Sequence, residues 1–174
     1  LASQAIFDEN NDFFESFSNC IDKIEKEGDI NGIVLNLQNN KSINSYEVKK
    51  NLEEKGADVA EIPSVVAESS DLIITCVKDA DAVKQVLFGQ GGVVSGKHDD
   101  MTVADMSTIN PNAAKEISKK LHDEGIKSIE IPVMGGPNVA IEGKLVLMAS
   151  GDKESFERFS QVFNTIANKT FFLG

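Results

Sequence analysis

A continuous apolar run, Asp71-Leu-Ile-Ile-Thr-Cys-Val77, is the strongest structural signal in the chain. The run is rich in β-formers and does not alternate polar with apolar side chains, which is typical of a strand buried on both faces. Strands of this kind occur in parallel sheets that helices cover on both sides. A short helix with proline in its first turn is predicted before the run at residues 63–69, and another helix begins after it at Asp79 and Asp81.

The alternation of strand and helix continues in both directions from this run. The elements predicted around it are a strand at 33–37, a helix ending at Lys55-Gly56, a strand at 102–105, a helix capped by Asn110-Pro111 and closed by Gly125, a strand at 128–134, a turn at Gly135-Gly136-Pro137, a strand at 145–149 and a long final helix capped by Asp152. This order predicts an α/β fold with a doubly wound, mostly parallel sheet.

Two regions are less regular than this pattern. The first thirty residues contain the polar, acidic segments 8–12 and 25–29, and they show no clear buried strand. In the final helix Phe156, Phe159, Phe163 and Ile166 recur at helical spacing, which allows an aromatic ligand box but favours core packing. We expect one domain over residues 1–174, with residues 1–31 as its divergent part.

Composition excludes several classes of function. A chain of 174 residues with 41% hydrophobic content is long enough to bury one core. Its 28 acidic and 17 basic side chains give a net charge of −11, which disfavours nucleic acid as a direct partner. No apolar run approaches the roughly 20 residues of a membrane span, and the start lacks a signal-peptide pattern. Cys20 and Cys76 stand apart, so we expect free thiols, no metal site and a cytoplasmic location, with a nucleus or organelle left open.

Four motifs, in this order and spacing, resemble the 3-hydroxyisobutyrate dehydrogenase family of β-hydroxyacid dehydrogenases. They are Asp71-Leu-Ile-Ile-Thr-Cys-Val-Lys-Asp79, Asp105-Met-Ser-Thr-Ile-Asn-Pro111, Ile131-Pro-Val-Met-Gly-Gly-Pro137 and Ala140-Ile-Glu-Gly-Lys-Leu145. The resemblance runs from about Gly32 to Gly174, and the closing segment 169–174 is similar to the glyoxylate-reductase-like branch.

The resemblance implies a Rossmann-like nucleotide domain and a chemistry of hydride transfer between a nicotinamide ring and a small hydroxy acid. In that family a helical second domain follows, and the helix that joins the two domains supplies a catalytic lysine. Neither that helix nor that lysine is found in this sequence. No catalytic residue is therefore assigned here.

The resemblance places a substrate site on two motifs. Ser107 would hold the carboxylate or hydroxyl of the substrate, at the carboxyl end of a predicted strand. Gly135 and Gly136 would present backbone amides to the substrate carboxylate. Met134 stands where the family commonly has serine, which removes one hydroxyl donor and leaves the identity of the acid open.

The resemblance also assigns a nicotinamide cofactor to several residues. Val77 and Lys78 would lie over the ribose and pyrophosphate, and Thr108 would contact the nicotinamide side. The residues at the end of the second strand, where relatives distinguish the two cofactors, are Asn39, Asn40 and Lys41. No acidic ribose ligand occurs there, and an amide beside a lysine favours NADP over NAD.

The glycine motif of the family is the main departure. Counting back from Gly32 without gaps places residues 16–21 on Gly-x-Gly-x-x-Gly, with Ser16, Ser18 and Ile21 at the glycine positions. Added side chains there would obstruct the close approach of backbone to pyrophosphate. The interpretations left open are a working reductase half, a non-catalytic binding or oligomerisation module, and a fragment of a longer protein that would self-associate as a homo-oligomer.

Overall fold

The computed structural model describes residues 3–7, 33–37, 50, 53–54 and 58–174. Within them strands and helices alternate, as the sequence predicts. The nine strands of this part are β1 Ser3–Phe7, β2 Ile33–Leu37, β3 Asp58–Val59, β4 Leu72–Cys76, β5 Thr102–Asp105, β6 Lys127–Glu130, β7 Val133–Met134, β8 Leu145–Gly151 and β9 Ala167–Phe172. The helices of the same part, numbered in chain order, are α1 Pro63–Glu68, α2 Ala80–Phe88, α3 Pro111–Asp123, α4 Pro137–Ile141, α5 Lys153–Arg158 and α6 Ser160–Ile166, with a 3-10 turn at Val93–Gly96.

The strands form a mixed sheet in the order β3-β2-β1-β4-β5-β6-β8-β7, and β9 pairs with β8. The six strands from β3 to β6 are all parallel. β8 runs antiparallel to β6 and β7, whereas β9 is parallel to β8. The order of the six parallel strands is that of a doubly wound dinucleotide-binding fold, so the predicted fold class is confirmed.

Two cores cover the two faces of the sheet, because successive side chains of a strand point to opposite faces. Leu72 and Ile74 of β4 join one core, which contains Phe159 and Phe163 of the C-terminal helical region. Ile73, between them, joins the other core, which is built from residues of α1, α2 and α3. The prediction that this strand is buried on both faces is therefore confirmed.

Predicted capping residues begin and end the helices that frame the sheet. Asn110 caps α3 by accepting from the Asn112 N–H at 2.9 Å, and Gly125 follows the helix with a φ of 77°. Asp79 caps α2, and Asp152 caps α5 by accepting from the Ser155 N–H at 2.8 Å. No helix in the described part of the chain is long and apolar enough to cross a membrane.

Two predicted elements are each divided in the structure. The single strand expected at 128–134 is two strands, β6 and β7, separated at Ile131-Pro132. Proline has no N–H to donate to a ladder, and the pairing with β5 ends there, because β6 pairs with both β5 and β8 while β7 pairs with β8. The long final helix is α5 and α6, separated at Phe159, whose φ of −103° and ψ of 12° depart from helical values.

The expectation that the first thirty residues hold no clear strand is wrong, because Ser3–Phe7 forms β1 between β2 and β4. β9, which follows the final helix, is also missing from the predicted elements. The prediction for the aromatic residues is confirmed: Phe159 and Phe163 are fully buried, and Phe156 packs against Phe163 with a distance of 5.8 Å between ring centroids. That the chain forms one domain stays a prediction.

Candidate functional site

The candidate site is the carboxyl edge of the parallel strands, beside the point where the strand order reverses. β1 and β4 are neighbours in the sheet although they are far apart in sequence, and such a switch point opens a crevice at the carboxyl ends of the strands. β4 ends at Cys76 and β5 at Asp105. The residues that follow, Val77-Lys78 and Met106-Ser107-Thr108, therefore come to the same edge.

A buried network of polar groups ties the ends of β4 and β5 together. Parallel register places Thr75 opposite Asp105, and the Thr75 hydroxyl donates to Asp105 Oδ1 at 2.8 Å. The same oxygen accepts from the Ser107 N–H at 3.1 Å. The Val77 N–H donates to Ser107 Oγ at 2.9 Å. One hydrogen bond therefore joins the two strand ends, and another joins the two loops that follow them.

Burial governs the electrostatics of this edge. Asp105 is only 9% exposed, and desolvation raises the pKa of its carboxyl above the ordinary value, against the lowering effect of its hydrogen bonds from Ser107 and Thr75. Burial, with the nearby charge of Asp105, raises the pKa of the Cys76 thiol to about 12. Burial and Asp105 also raise the pKa of Glu130, which pairs with Asp105 across β5 and β6.

Four residues predicted from sequence meet at the two strand ends. Val77 and Ser107 are 8% and 4% exposed, and they are joined by the hydrogen bond between them. Lys78 and Thr108, each one residue further along, are exposed. The Ser107 hydroxyl thus faces the protein interior, while Thr108 and Lys78 offer a hydroxyl and an ammonium group to solvent at the same edge. Their roles in binding stay predictions.

Gly135 and Gly136 extend past the same edge of the sheet. β6 and β7 are both antiparallel to β8, so β7 runs in the same direction as β6 and the other parallel strands. The turn after β7 therefore lies toward the carboxyl edge. Gly135 has a φ of 135°, and a Cβ there would approach Leu145 and Val139, so glycine is required by the turn. A Cβ on Gly136 would meet nothing within 4 Å. Both glycines are exposed, and their role in binding a carboxylate stays a prediction.

Other predicted residues lie outside the described part of the chain: Asn39, Asn40 and Lys41, Cys20, and the segment 16–21. β1 nevertheless ends at Phe7, well before Ser16. A motif that directly follows the first strand would begin near residue 8, so the ungapped placement of the glycine motif on residues 16–21 does not match the strand that is described.

Sequence reasoning overlooked Asp105 and Thr75 as members of the site. The signal available was an acidic residue at the end of an apolar strand, Thr102-Val-Ala-Asp105, where burial of a carboxylate demands donors. The histidines contribute nothing to this edge: His98 precedes β5, with its ring nitrogens near the carbonyls of Asp99 and Ser70, and His122 lies near the end of α3. No group of His, Cys, Asp and Glu in the described residues suits a metal ion.

The described edge fits part of a dinucleotide site. Thr108 and Lys78 supply a hydrogen-bond donor and a positive charge beside the switch point, which suits the ribose, phosphate and carboxamide groups of a nicotinamide nucleotide. The asparagine, lysine and loop residues expected around the phosphates belong to segments that the structure does not describe. The donor set at β4 and β5 is therefore compatible with the nicotinamide side of such a cofactor.

The strand order, the helices packed on both faces of the sheet and the polar carboxyl edge together define a doubly wound, dinucleotide-binding α/β domain. Comparison with known families gives the same result. Residues 32–174 match the NAD binding domain of 6-phosphogluconate dehydrogenase, and the chain belongs to this family.

Curated relatives carry a different kind of name. Over 122 residues the chain is 36% identical to the cytokine-like nuclear factor N-PAC of Drosophila melanogaster, covering 70% of this chain and 20% of that protein. It is 33% identical over 125 residues to the N-PAC of Anopheles gambiae, a match that covers 72% of this chain and 22% of that protein. The chain thus spans about a fifth of the length of these relatives.

Solved structures show the same fold at low sequence identity. The 3-hydroxyisobutyrate dehydrogenase of Mycobacterium tuberculosis, solved with L-serine, is 17% identical and superposes with a TM-score of 0.80 over 99% of this chain and 54% of that one. Psf3 in complex with NADP+ and 2-OPP is 19% identical and superposes with a TM-score of 0.78, over 97% of this chain and 56% of that one. An imine reductase variant from Myxococcus stipitatus in complex with NAD+ is 18% identical and superposes with a TM-score of 0.76, over 99% of this chain and 54% of that one.

Proposed function

We propose that this chain is the cofactor-binding part of a β-hydroxyacid dehydrogenase-like reductase, which binds NADP at the carboxyl edge and exchanges a hydride with a small hydroxy acid. The observation that carries the proposal is the joined pair of strand ends, β4 and β5, at the switch point of the sheet. Ligands of doubly wound folds bind at this place. When bound, the nicotinamide ring would supply the hydride-transfer chemistry.

The residues of this edge divide into those that position and those that bind. Asp105, Thr75 and Ser107 hold the two loops with buried hydrogen bonds, so they position their neighbours. Contact of Ser107 with the substrate, as the family resemblance implies, is also part of the proposal. Thr108 then donates to the nicotinamide side and Lys78 offers a charge to the cofactor phosphates, as the family resemblance implies. The rigid support matters, because a binding group loses less entropy when its backbone is already fixed.

The substrate side would use the turn after β7. The backbone amides at Gly135 and Gly136 suit a carboxylate, since an exposed, Cβ-free backbone allows an anion to approach closely. The exposed Met134 gives this turn an apolar side chain beside the amides. We therefore infer a small acid that carries an apolar group, rather than a second hydroxyl, next to its carboxylate.

Cofactor selection rests on the segment Asn39-Asn40-Lys41. Lys41 would attract the 2′-phosphate of NADP, and the absence of an acidic residue in this segment removes the usual ligand of the NAD ribose. We therefore expect tighter binding of NADPH than of NADH. Lys41→Gln should abolish most of the difference between the two cofactors.

Isothermal titration of the chain with NADPH and NADH tests the proposal. A saturable heat with NADPH is expected, together with weaker binding by Thr108→Val and Lys78→Gln, each by about five- to tenfold for one lost charged hydrogen bond. Lys153→Gln is the matched control for Lys78→Gln, because Lys153 follows the end of β8, which runs antiparallel to β6, and so lies toward the opposite edge of the sheet; it should bind like the parent chain. Absence of any saturable heat, with the fold intact, would refute cofactor binding.

A second candidate function is a non-catalytic module that assembles with further copies of itself. It is favoured by the curated relatives, which are named nuclear factors, and by the exposed Phe171 and Leu173 in and just after β9, which are 49% and 70% exposed. Light scattering after gel filtration should then show a homo-oligomer that Phe171→Ser with Leu173→Ser converts to monomer. Millimolar NADPH should leave the thermal unfolding temperature unchanged in this case, whereas the first proposal requires it to rise.

A further inference from the structure

A groove of about 740 Å³ lies along α3 and β6, and it includes Glu130 at the end of β6 but no residue from the ends of β4 and β5. One wall is the outer face of α3, with Lys115, Lys119 and His122 spaced along it, and Lys127 of β6 stands at one end. In its floor the hydroxyls of Ser118 and Ser128 lie 2.9 Å apart. The groove has the size of a ligand site, and its lining contains three lysines and two serines beside two acidic residues, Glu130 and Asp152.

Lysines without an ion pair are concentrated on α3 in the described part of this acidic chain. With 28 acidic and 17 basic side chains, a lysine on this protein has many acids available to pair with. Ion pairs form at seven described basic residues, namely Lys50, Lys84, Lys97, Lys127, Lys144, Lys153 and Arg158, of which Lys127 lines the groove. Five described lysines form none, namely Lys78, Lys115, Lys119, Lys120 and Lys169, and three of these belong to α3. Within the described residues, Lys115 and Lys119 have no acid within 4.0 Å, although each is exposed on the same helix face.

The acids that line the groove do not neutralise these lysines. Asp152 is held as the cap of α5, where its carboxylate accepts from the Ser155 N–H. Glu130 is half-buried beside Asp105, and its pKa is raised mainly by burial, although Lys115 acts to lower it. Glu154, outside the groove, pairs with Lys127. Lys115 and Lys119 thus line the groove without a close ion pair, although the charge of Lys115 acts on Glu130.

Stabilisation of the helix dipole accounts for part of this pattern only. Cations in the last turn of a helix interact favourably with its carbonyl end, and Lys120 and His122 lie there. Lys115 is in the second turn of α3, where the dipole offers no such benefit, and Lys119 lies one turn later. The helix dipole therefore does not account for Lys115 and Lys119, and both are open to an external anion.

We propose that this groove binds an acidic peptide segment in extended conformation. Residues four apart on a helix rise by about 6 Å, and alternate side chains of an extended chain are separated by roughly 6.6 Å. A peptide with a carboxylate at every second residue therefore presents its charges at the spacing of Lys115 and Lys119. The two serine hydroxyls in the floor add donors or acceptors for its backbone.

The chemistry of the groove favours a peptide over a nucleic acid. A nucleic acid site uses aromatic faces on which bases stack, and arginine forks for phosphates, whereas this groove has neither. The net charge of −11 also repels a long polyanion more strongly than a short segment with a few carboxylates. The proposal is independent of the dehydrogenase-like function, since none of the residues at the β4 and β5 ends lines this groove.

Fluorescence anisotropy of the whole chain with a labelled Glu-Ser-Glu-Ser-Glu-Ser peptide tests the proposal. Saturable binding that weakens as salt is raised is expected. The double variant Lys115→Gln/Lys119→Gln should weaken binding by about tenfold, from two exposed charge pairs. Lys50→Gln/Lys144→Gln is the matched control, because it changes the net charge equally at residues outside the groove, and it should bind like the parent chain.

Three results would overturn the proposal. One is absence of saturable peptide binding by the parent chain at low salt. Another is an equal loss of affinity in the groove variant and in its charge-matched control, which would indicate a general effect of net charge. The third is binding of a short oligothymidylate as tightly as the peptide. Unchanged thermal unfolding of both double variants is the check that the substitutions leave the fold intact.

Discussion

Thr75 and Thr102 are fully buried threonines on adjacent strands. The hydroxyl of Thr75 has a charged hydrogen-bond partner, and that of Thr102 has a neutral one. Thr75 donates to the carboxylate of Asp105 at 2.8 Å, whereas Thr102 donates to the Ser155 hydroxyl at 3.1 Å. Replacement of either by valine keeps the shape and the β-branched character of the side chain and removes only the hydroxyl. The two variants therefore compare a charged hydrogen bond with a neutral one in the same sheet.

We expect Thr75→Val to lower the free energy of unfolding by about 2 kcal/mol at neutral pH, since a hydrogen bond to a charged group contributes roughly 1.5–3 kcal/mol. Thr102→Val should cost about 1 kcal/mol, the ordinary value for a neutral pair. Asp105 is left with its hydrogen bonds from Ser107 in the first variant, so the loss should stay below that of an unpaired buried carboxylate.

The dependence on pH follows from the raised pKa of Asp105. Because its folded pKa lies above its unfolded value of 3.8, the charged carboxylate costs stability above the folded pKa, and this cost is relieved as the pH falls toward 3.8. The Thr75 hydrogen bond lowers the folded pKa, so Thr75→Val raises it further and adds to the cost at neutral pH. In acid, with Asp105 protonated, the difference from the parent chain should shrink to about 1 kcal/mol.

Urea unfolding of the parent chain and both variants, followed by circular dichroism from pH 8 to pH 4.5, measures these differences. The loss in Thr75→Val should decrease with falling pH, while that in Thr102→Val stays constant. Equal losses in the two variants across the whole pH range would refute the charged network at the carboxyl edge.

Three further predictions concern the packing and the chemistry of the core. Gly96→Ala should destabilise the chain by more than about 2 kcal/mol in urea unfolding, because its Cβ would overlap the Ser64 carbonyl, whereas Gly136→Ala should change stability by less than about 0.5 kcal/mol. Phe163→Ala should cost about 3–5 kcal/mol, since the ring is fully buried, and a loss under 1 kcal/mol would contradict its place in the core. Iodoacetamide at pH 8 should modify Cys76 far more slowly in the native chain than in urea, as measured by peptide mass spectrometry, because the pKa of its thiol is about 12.

The central strands and the helix ends were predictable from sequence because their signals are local. An uninterrupted apolar run marks β4, and Asn110 and Asp152 mark the helix starts that they cap. β1 was missed because it begins with Ser3 and Gln4, so its central place in the sheet leaves no apolar run in the sequence. β9 was missed for a similar reason, with Asn168 and Lys169 among its residues.

The candidate site was predicted only in part because its bonds cross the sheet. The motif at 105–108 directs attention to Ser107 and Thr108, which lie at the strand end as expected. That Asp105 is opposite Thr75 depends on the register of β4 and β5, residues thirty apart in sequence, which no local pattern reports. Burial of the Ser107 hydroxyl follows from the same register and was likewise beyond local reasoning.

The hydrogen bond from Val77 to Ser107 has a mechanical consequence for the loops that it joins. Lys78 and Thr108 each follow one of its two residues directly, so neither can be displaced far unless the other moves with it. A molecule that displaces the backbone of only one loop has to break this bond or move the other loop as well. The two segments form a single stiff wall, and any adjustment to a ligand has to come from elsewhere around the crevice.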